Sequence, residues 1–100
     1  MSTNNFFISY FNEISNQIHN IDDDILLATI NKINEIKQKP GKIIIIGNGG
    51  SAAIASHVSI DLTKAANIRT INFNEASLLT CFSNDYGYEH WVEKAIEFYA

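Results

Sequence analysis

Four consecutive isoleucines, Ile43 to Ile46, run straight into Gly47-Asn48-Gly49-Gly50-Ser51-Ala52. An unbroken β-branched run has no alternation of polar and apolar positions, the pattern of a strand covered on both faces and so of a parallel sheet. The glycines then turn the chain directly into a segment, 51–65, of helical pattern. Glycine permits positive φ and close backbone approach, and a helix start presents unpaired N–H groups with about half a positive charge. Strand, glycine turn and helix N-terminus in that order make a receptor for an anion, phosphate being the natural guest. Two other readings of the same residues stay open. One is a tight turn that binds nothing. The other is a dinucleotide fingerprint, since Gly47-x-Gly49-x-x-Ala52 fits its Ala-ended form, with Glu75 near the place of a ribose-binding acid. The hydroxyl of Ser51, suited to a phosphate, and the helices that precede the first strand speak against the dinucleotide.

Those helices lie ahead of Pro40-Gly41, the one strong break in the chain. Phe7, Phe11, Ile14 and Ile18 share one helical face over 4–19, widened by Phe6 and Tyr10. Asp22 is placed to cap a second helix carrying Leu26, Ile30, Ile33 and Lys37 on one face, with Ile21 and Leu26 able to form a hydrophobic staple. Two apolar stripes ahead of any strand must bury against something, either a partner subunit or their own domain. Beyond the glycine turn the pattern predicts a strand over 68–73, a short helix over 75–82 and another over 88–100. The order is α/β, with 1–39 a helical hairpin at an oligomer interface and 40–100 the first part of an α/β domain. Two strands make no stable doubly covered sheet, so the expectation is the N-terminal half of a larger domain.

Composition narrows the function. The chain has 100 residues, of which 46% are hydrophobic and 18% charged, as in a single globular domain. So short a chain buries little over about 60% of its unfolded surface and gains from oligomerisation. Eleven acids against seven bases give a net charge of -4. The bases are scattered from Lys32 to Lys94 without a basic stripe, which excludes binding to a nucleic-acid backbone. No apolar run approaches the roughly 20 residues of a membrane span, so no membrane partner is expected. A lone cysteine, Cys81, forms neither an internal disulfide nor a cysteine-based zinc site, which fits a reducing, cytoplasmic compartment.

Two further clusters carry chemistry. His57 and Asp61 stand four apart on the helix after the glycine turn, neighbours on one face. An imidazole and a carboxylate one turn apart either share a divalent metal or work as a proton-transfer pair with the carboxylate as base, although a plain surface hydrogen bond is the commoner outcome. They lie about two turns from the loop, roughly 10 Å along the helix and so a sugar's length from a bound phosphate. The segment Ser83-Asn84-Asp85-Tyr86-Gly87-Tyr88-Glu89 falls where one helix is expected to end and the next to begin. Asn84 or Asp85 either caps the next helix or binds substrate hydroxyls. Tyr86, Tyr88 and Trp91 read as packing or interface residues rather than a stacking platform. His19 and His90 show no partner in the sequence and read as surface residues.

Gly47-Asn48-Gly49-Gly50-Ser51-Ala52-Ala53, Ala55-Ser56-His57 and Asn84-Asp85-Tyr86-Gly87-Tyr88-Glu89 together resemble the phosphoheptose isomerases, a branch of the sugar isomerase (SIS) domain superfamily. The resemblance implies a flavodoxin-like parallel sheet flanked by helices, and a cytoplasmic homotetramer built partly on the N-terminal helices with sites shared between subunits. It implies isomerisation of sedoheptulose 7-phosphate to D-glycero-D-manno-heptose 7-phosphate for lipopolysaccharide or capsule synthesis. Asn48, Gly49, Gly50, Ser51, Asn84 and Asp85 would bind the phosphosugar. His57 and Asp61 would hold zinc and carry catalysis, with Asp61 also touching substrate. Asp61 stands where the family has glutamate, and the carboxylate is pulled back by more than about an ångström, a misplacement that weakens catalysis. The family's later phosphate loop and its C-terminal Gln and His ligands have no counterpart in these residues. The alternative is a non-catalytic SIS protein that binds a phosphosugar or a partner protein, of the replication-initiator-binding type.

Overall fold

The computed structural model describes residues 3–100. In chain order it contains α1 (Thr3–His19), α2 (Asp23–Lys37), β1 (Ile43–Ile44), α3 (Gly50–Lys64), β2 (Thr70–Ile71), α4 (Ala76–Tyr86), a 3-10 turn (Tyr88–His90) and α5 (Trp91–Tyr99). Two compact units divide the chain, one reaching to Ile33 and the other running from Asn34 to Ala100.

In the first unit, α1 follows the expected aromatic stripe, and its rings meet one another along the helix: Phe7 and Phe11 lie 6.4 Å apart and Phe6 and Tyr10 6.2 Å apart, centre to centre. The Asp22 carboxylate accepts the N–H of Asp24 at 2.9 Å, so the expected cap of α2 is present. Neither helix buries a residue. His19 does have a partner, the Ser15 hydroxyl at 3.5 Å one turn away.

In the second unit, β1 and β2 pair in parallel, Ile43 against Thr70 and Ile44 against Ile71. Helix α3 is the crossover between them, as a parallel pair requires. Because successive strand residues face opposite ways, Ile44, Ile46 and Ile71 share one face and pack with Leu78, Leu79, Phe82 and Val92 around Phe73, Trp91 and Ala95. Trp91 is 3% exposed and Ala95 fully buried, so α5 is the keystone of this layer. The opposite face meets α3, where the Thr63 hydroxyl reaches the Thr70 carbonyl at 3.3 Å. Helices thus flank both faces of a short parallel sheet, an α/β arrangement, although Ile43 to Ile46 are half-buried rather than enclosed. A sheet of two strands leaves part of each face uncovered.

Several boundaries differ from expectation, the strand expected over 68–73 being confined to Thr70–Ile71. Helix α4 continues past Phe82 to Tyr86, because Phe82 and Tyr86, one turn apart, pack edge to face at 5.8 Å and extend the apolar stripe. The chain then turns at Gly87, whose φ of 94° disfavours any side chain. Asn84 and Asp85 consequently lie inside the last turn of α4 and cap no following helix. The segment after Gly87 opens as a 3-10 turn before becoming α5. No helix among the described residues is long and apolar enough to cross a membrane.

Candidate functional site

The carboxyl ends of parallel strands are where α/β sheets bind ligands, and the glycine loop leaves β1 there. Gly47 is required by space: a Cβ at this position would lie 2.3 Å from the Ser51 carbonyl group. Gly49 is required by conformation, with φ 59° and ψ -124° as the residue that caps α3. The Ser51 and Ala52 N–H groups are tied back to the carbonyls of Asn48 and Gly49 at 3.1 and 3.0 Å. Those of Asn48, Gly49 and Gly50 have no backbone partner among the described residues. The loop therefore offers main-chain donors at a helix N-terminus, the chemistry that receives an anionic oxygen.

Beside it opens a pocket of about 480 Å³ lined by Ile46, Gly47, Asn48, Tyr88, Glu89, Trp91 and Val92. The Tyr88 hydroxyl donates to the Asn48 side-chain oxygen. Tyr88 is thus a polar wall of the pocket and a contact of the loop, and it is not buried in the core. Trp91 does pack in the core, and Tyr86 packs edge to face with Phe82 and lies under the Lys94 ammonium, 5.1 Å from its ring centre.

The remaining residues singled out from sequence lie outside this lining. His57 Nε2 and Asp61 Oδ2 are 3.3 Å apart on α3, at 74% and 51% side-chain exposure. The pair expected from the spacing therefore exists and faces solvent. An imidazole nitrogen beside a carboxylate suits zinc, yet no group of three or more His, Cys, Asp or Glu residues capable of holding a metal occurs among the described residues. Two such donors are fewer than the three or four protein ligands that hold zinc. Asn84 donates to the Asp85 carboxylate at 3.2 Å, and Asp85 also accepts from the Cys81 thiol at 3.6 Å. That carboxylate pushes the thiol pKa up from its ordinary value. Glu75 caps α4, accepting the Leu78 N–H at 3.0 Å. Hydrogen bonds from the Leu78 and Ser77 backbone hold its carboxyl below the ordinary range. The carboxylate is thus engaged in the fold. His90, read as partnerless, bonds Glu93 at 3.2 Å through Nδ1.

Asn72 and Asn74, unremarked in sequence, make the densest polar contacts around the loop. The Gly47 N–H donates to the Asn74 side-chain oxygen at 3.0 Å, and the Asn74 amide donates to the Gly47 carbonyl at 2.8 Å. Asn72 donates to the Ile45 carbonyl at 2.7 Å and to Asn74 at 3.0 Å. The sequence signal was there to find: two asparagines at alternate positions just past a strand, polar where a covered strand would be apolar.

A parallel strand pair opening on a glycine turn with free main-chain donors defines an α/β protein of the anion-binding kind. Comparison with known proteins says which. Phosphoheptose isomerase of Helicobacter pylori is 35% identical over 80 residues, 74% of this chain and 42% of that protein. The phosphoheptose isomerase of a Roseiflexus species is 30% identical over 79 residues, covering 73% and 40% respectively. Phosphoheptose isomerase 1 of Campylobacter jejuni is 34% identical over 84 residues, covering 74% and 45%. Over that span the chain is a partial homologue of the phosphoheptose isomerases. It spans less than half the length of these relatives. No family model matches the chain, and no solved structure does.

Proposed function

We propose that the protein is a phosphosugar aldose-ketose isomerase acting on sedoheptulose 7-phosphate to give D-glycero-D-manno-heptose 7-phosphate, in the cytoplasm, for surface polysaccharide. The observation that carries this reading is the glycine loop of a phosphoheptose isomerase relative, held with its Asn48, Gly49 and Gly50 N–H groups unpaired at the start of α3. These groups, with the Ser51 hydroxyl, would bind phosphate oxygens. Asn84 and Asp85 would bind sugar hydroxyls. The Asp61 carboxylate would move a proton between adjacent carbons through an enediol, oriented by the His57 imidazole 3.3 Å away. His57 and Asp61 would also be the ligands this chain gives to zinc, which as a Lewis acid would polarise a substrate oxygen. Further ligands, the rest of a flavodoxin-like SIS domain, and a homotetramer joined through the apolar faces of α1 and α2 complete the proposal.

The test is to incubate the full-length protein with sedoheptulose 7-phosphate and look for the aldose, with and without zinc. Turnover that is lost in Asp61→Asn supports the reading, and an unchanged rate in that variant refutes the role of Asp61. A second reading, a non-catalytic SIS protein that binds a phosphosugar or a partner protein, is favoured by one observation: aspartate at position 61 in place of the family's glutamate. It predicts binding of the sugar phosphate without conversion.

A further inference from the structure

We propose that Asn74, braced by Asn72, is the positioning residue of the glycine loop, setting where its main-chain donors point. The parallel ladder carries only the short pairing of Ile43–Ile44 with Thr70–Ile71, extended by the bond from the Ile45 N–H to the Ile71 carbonyl at 3.1 Å. Past that point the two backbones part, and side-chain amides continue the ladder. Asn72 reaches across to the Ile45 carbonyl. Asn74 then binds both the N–H and the carbonyl of Gly47, which a primary amide can do because one planar group carries an acceptor and donors together.

The brace is itself fixed. The Asn72 oxygen accepts the Asn74 N–H at 2.9 Å and the Ser56 hydroxyl at 3.3 Å, while its nitrogen donates to the Asn74 oxygen at 3.0 Å. All of these groups are part-buried. Gly47 has no freedom to drift toward α3, since any atom added at its Cβ position would strike Ser51 and Ala52. Its peptide is therefore held from the β2 side by Asn74 and confined from the α3 side. The next peptides, those of Asn48, Gly49 and Gly50, start from that fixed point. The consequence for binding rests on the proposed role of these amides as phosphate donors; the consequence for the loop itself does not.

The test uses the full-length protein labelled with 15N at glycine. In Asn74→Ala, hydrogen exchange at the Gly47 amide should accelerate at least about tenfold and the Gly49 and Gly50 signals should move, as expected for two lost hydrogen bonds. Affinity for sedoheptulose 7-phosphate should fall by a similar factor. Asn72→Ala should act in the same direction and less. Asn74→Asp, nearly isosteric, guards against an unfolded alanine variant. Its carboxylate still accepts from the Gly47 N–H but cannot donate to the Gly47 carbonyl, so Gly47 should stay protected while the Gly49 and Gly50 signals move. A lower melting temperature with wild-type loop signals in Asn74→Ala and Asn74→Asp would overturn the proposal. Wild-type protein that binds no sugar phosphate would instead sink the proposed function, and the loop signals would still decide the role of Asn74.

Discussion

The two units of this chain use the same kind of helix and come to opposite ends. In α5, Trp91 and Ala95 lie one turn apart, and both disappear into a core against Ile44, Ile46 and Phe73. In α1, Phe7 and Phe11 lie one turn apart, and Phe11 remains 62% exposed. Periodicity specifies that a face exists; it does not specify what covers it. In the second unit the chain supplies its own cover because a strand pair stands within reach. In the first, α1 carries the same kind of apolar stripe and buries none of it within its own unit.

The largest effect that tests this contrast is at Trp91. Trp91→Ala should destabilise the second unit by about 3–5 kcal/mol, the usual cost of deleting a buried aromatic. Phe11→Ala should cost under about 1 kcal/mol in dilute protein, where an exposed side chain is removed. Denaturant titration of both variants reads the difference. Equal losses would break the comparison, and a Phe11 loss that grows with protein concentration would show another copy covering α1.

Next in size is a contrast within the loop. Gly47→Ala forces a methyl group to within 2.3 Å of backbone atoms of Ser51 and should cost about 1–3 kcal/mol, as overpacking does. At Gly50 an added methyl group meets nothing within 4 Å, and the residue opens α3. Gly50→Ala should be neutral or stabilise by up to about 1 kcal/mol through the unfolded chain. Thermal melting separates the two, and equal melting temperatures would mean that the loop is not packed against α3 as described.

These contrasts also show what was legible in the sequence. The α1 and α2 helices, the strand beginning at Ile43, the glycine turn and the adjacency of His57 and Asp61 on one helical face all follow from local spacing and match the structure. What local spacing cannot supply is register. Asn74 meets Gly47 only because Ile43 pairs with Thr70 rather than with a neighbour of Thr70. The same holds for Tyr88 and Asn48, which stand forty positions apart. The end of α4 was misread for a different reason. Asn84 and Asp85 favour turns by propensity, but the packing of Tyr86 on Phe82 outweighs a preference worth only tenths of a kcal/mol.

A smaller effect follows from the cap of α4. Backbone N–H groups of Leu78 and Ser77 lower the Glu75 pKa below its ordinary value of 4.5. A carboxyl that is more acidic when folded adds stability above its unfolded pKa, and that contribution is lost as pH falls through the lowered folded value. Acid titration of wild type and Glu75→Gln should therefore converge at low pH and separate in favour of wild type above the ordinary carboxylate range. Curves that stay parallel throughout would show that Glu75 does not cap the helix in its ionised form.

The smallest effect concerns reactivity at the other end of the same helix. Cys81 is exposed, and the Asp85 carboxylate one turn away raises its pKa, by charge first and by the hydrogen bond second. At any pH below that value less thiolate is present than an isolated cysteine would show, and thiolate is the form that reacts. Alkylation at pH 8 should consequently be slower than for an unperturbed exposed thiol, and Asp85→Asn should accelerate it several-fold. The rate of iodoacetamide modification measures this. An unchanged rate would mean that Asp85 points away from Cys81, as it would if the 84–86 stretch were a turn aimed at the pocket rather than the last turn of α4.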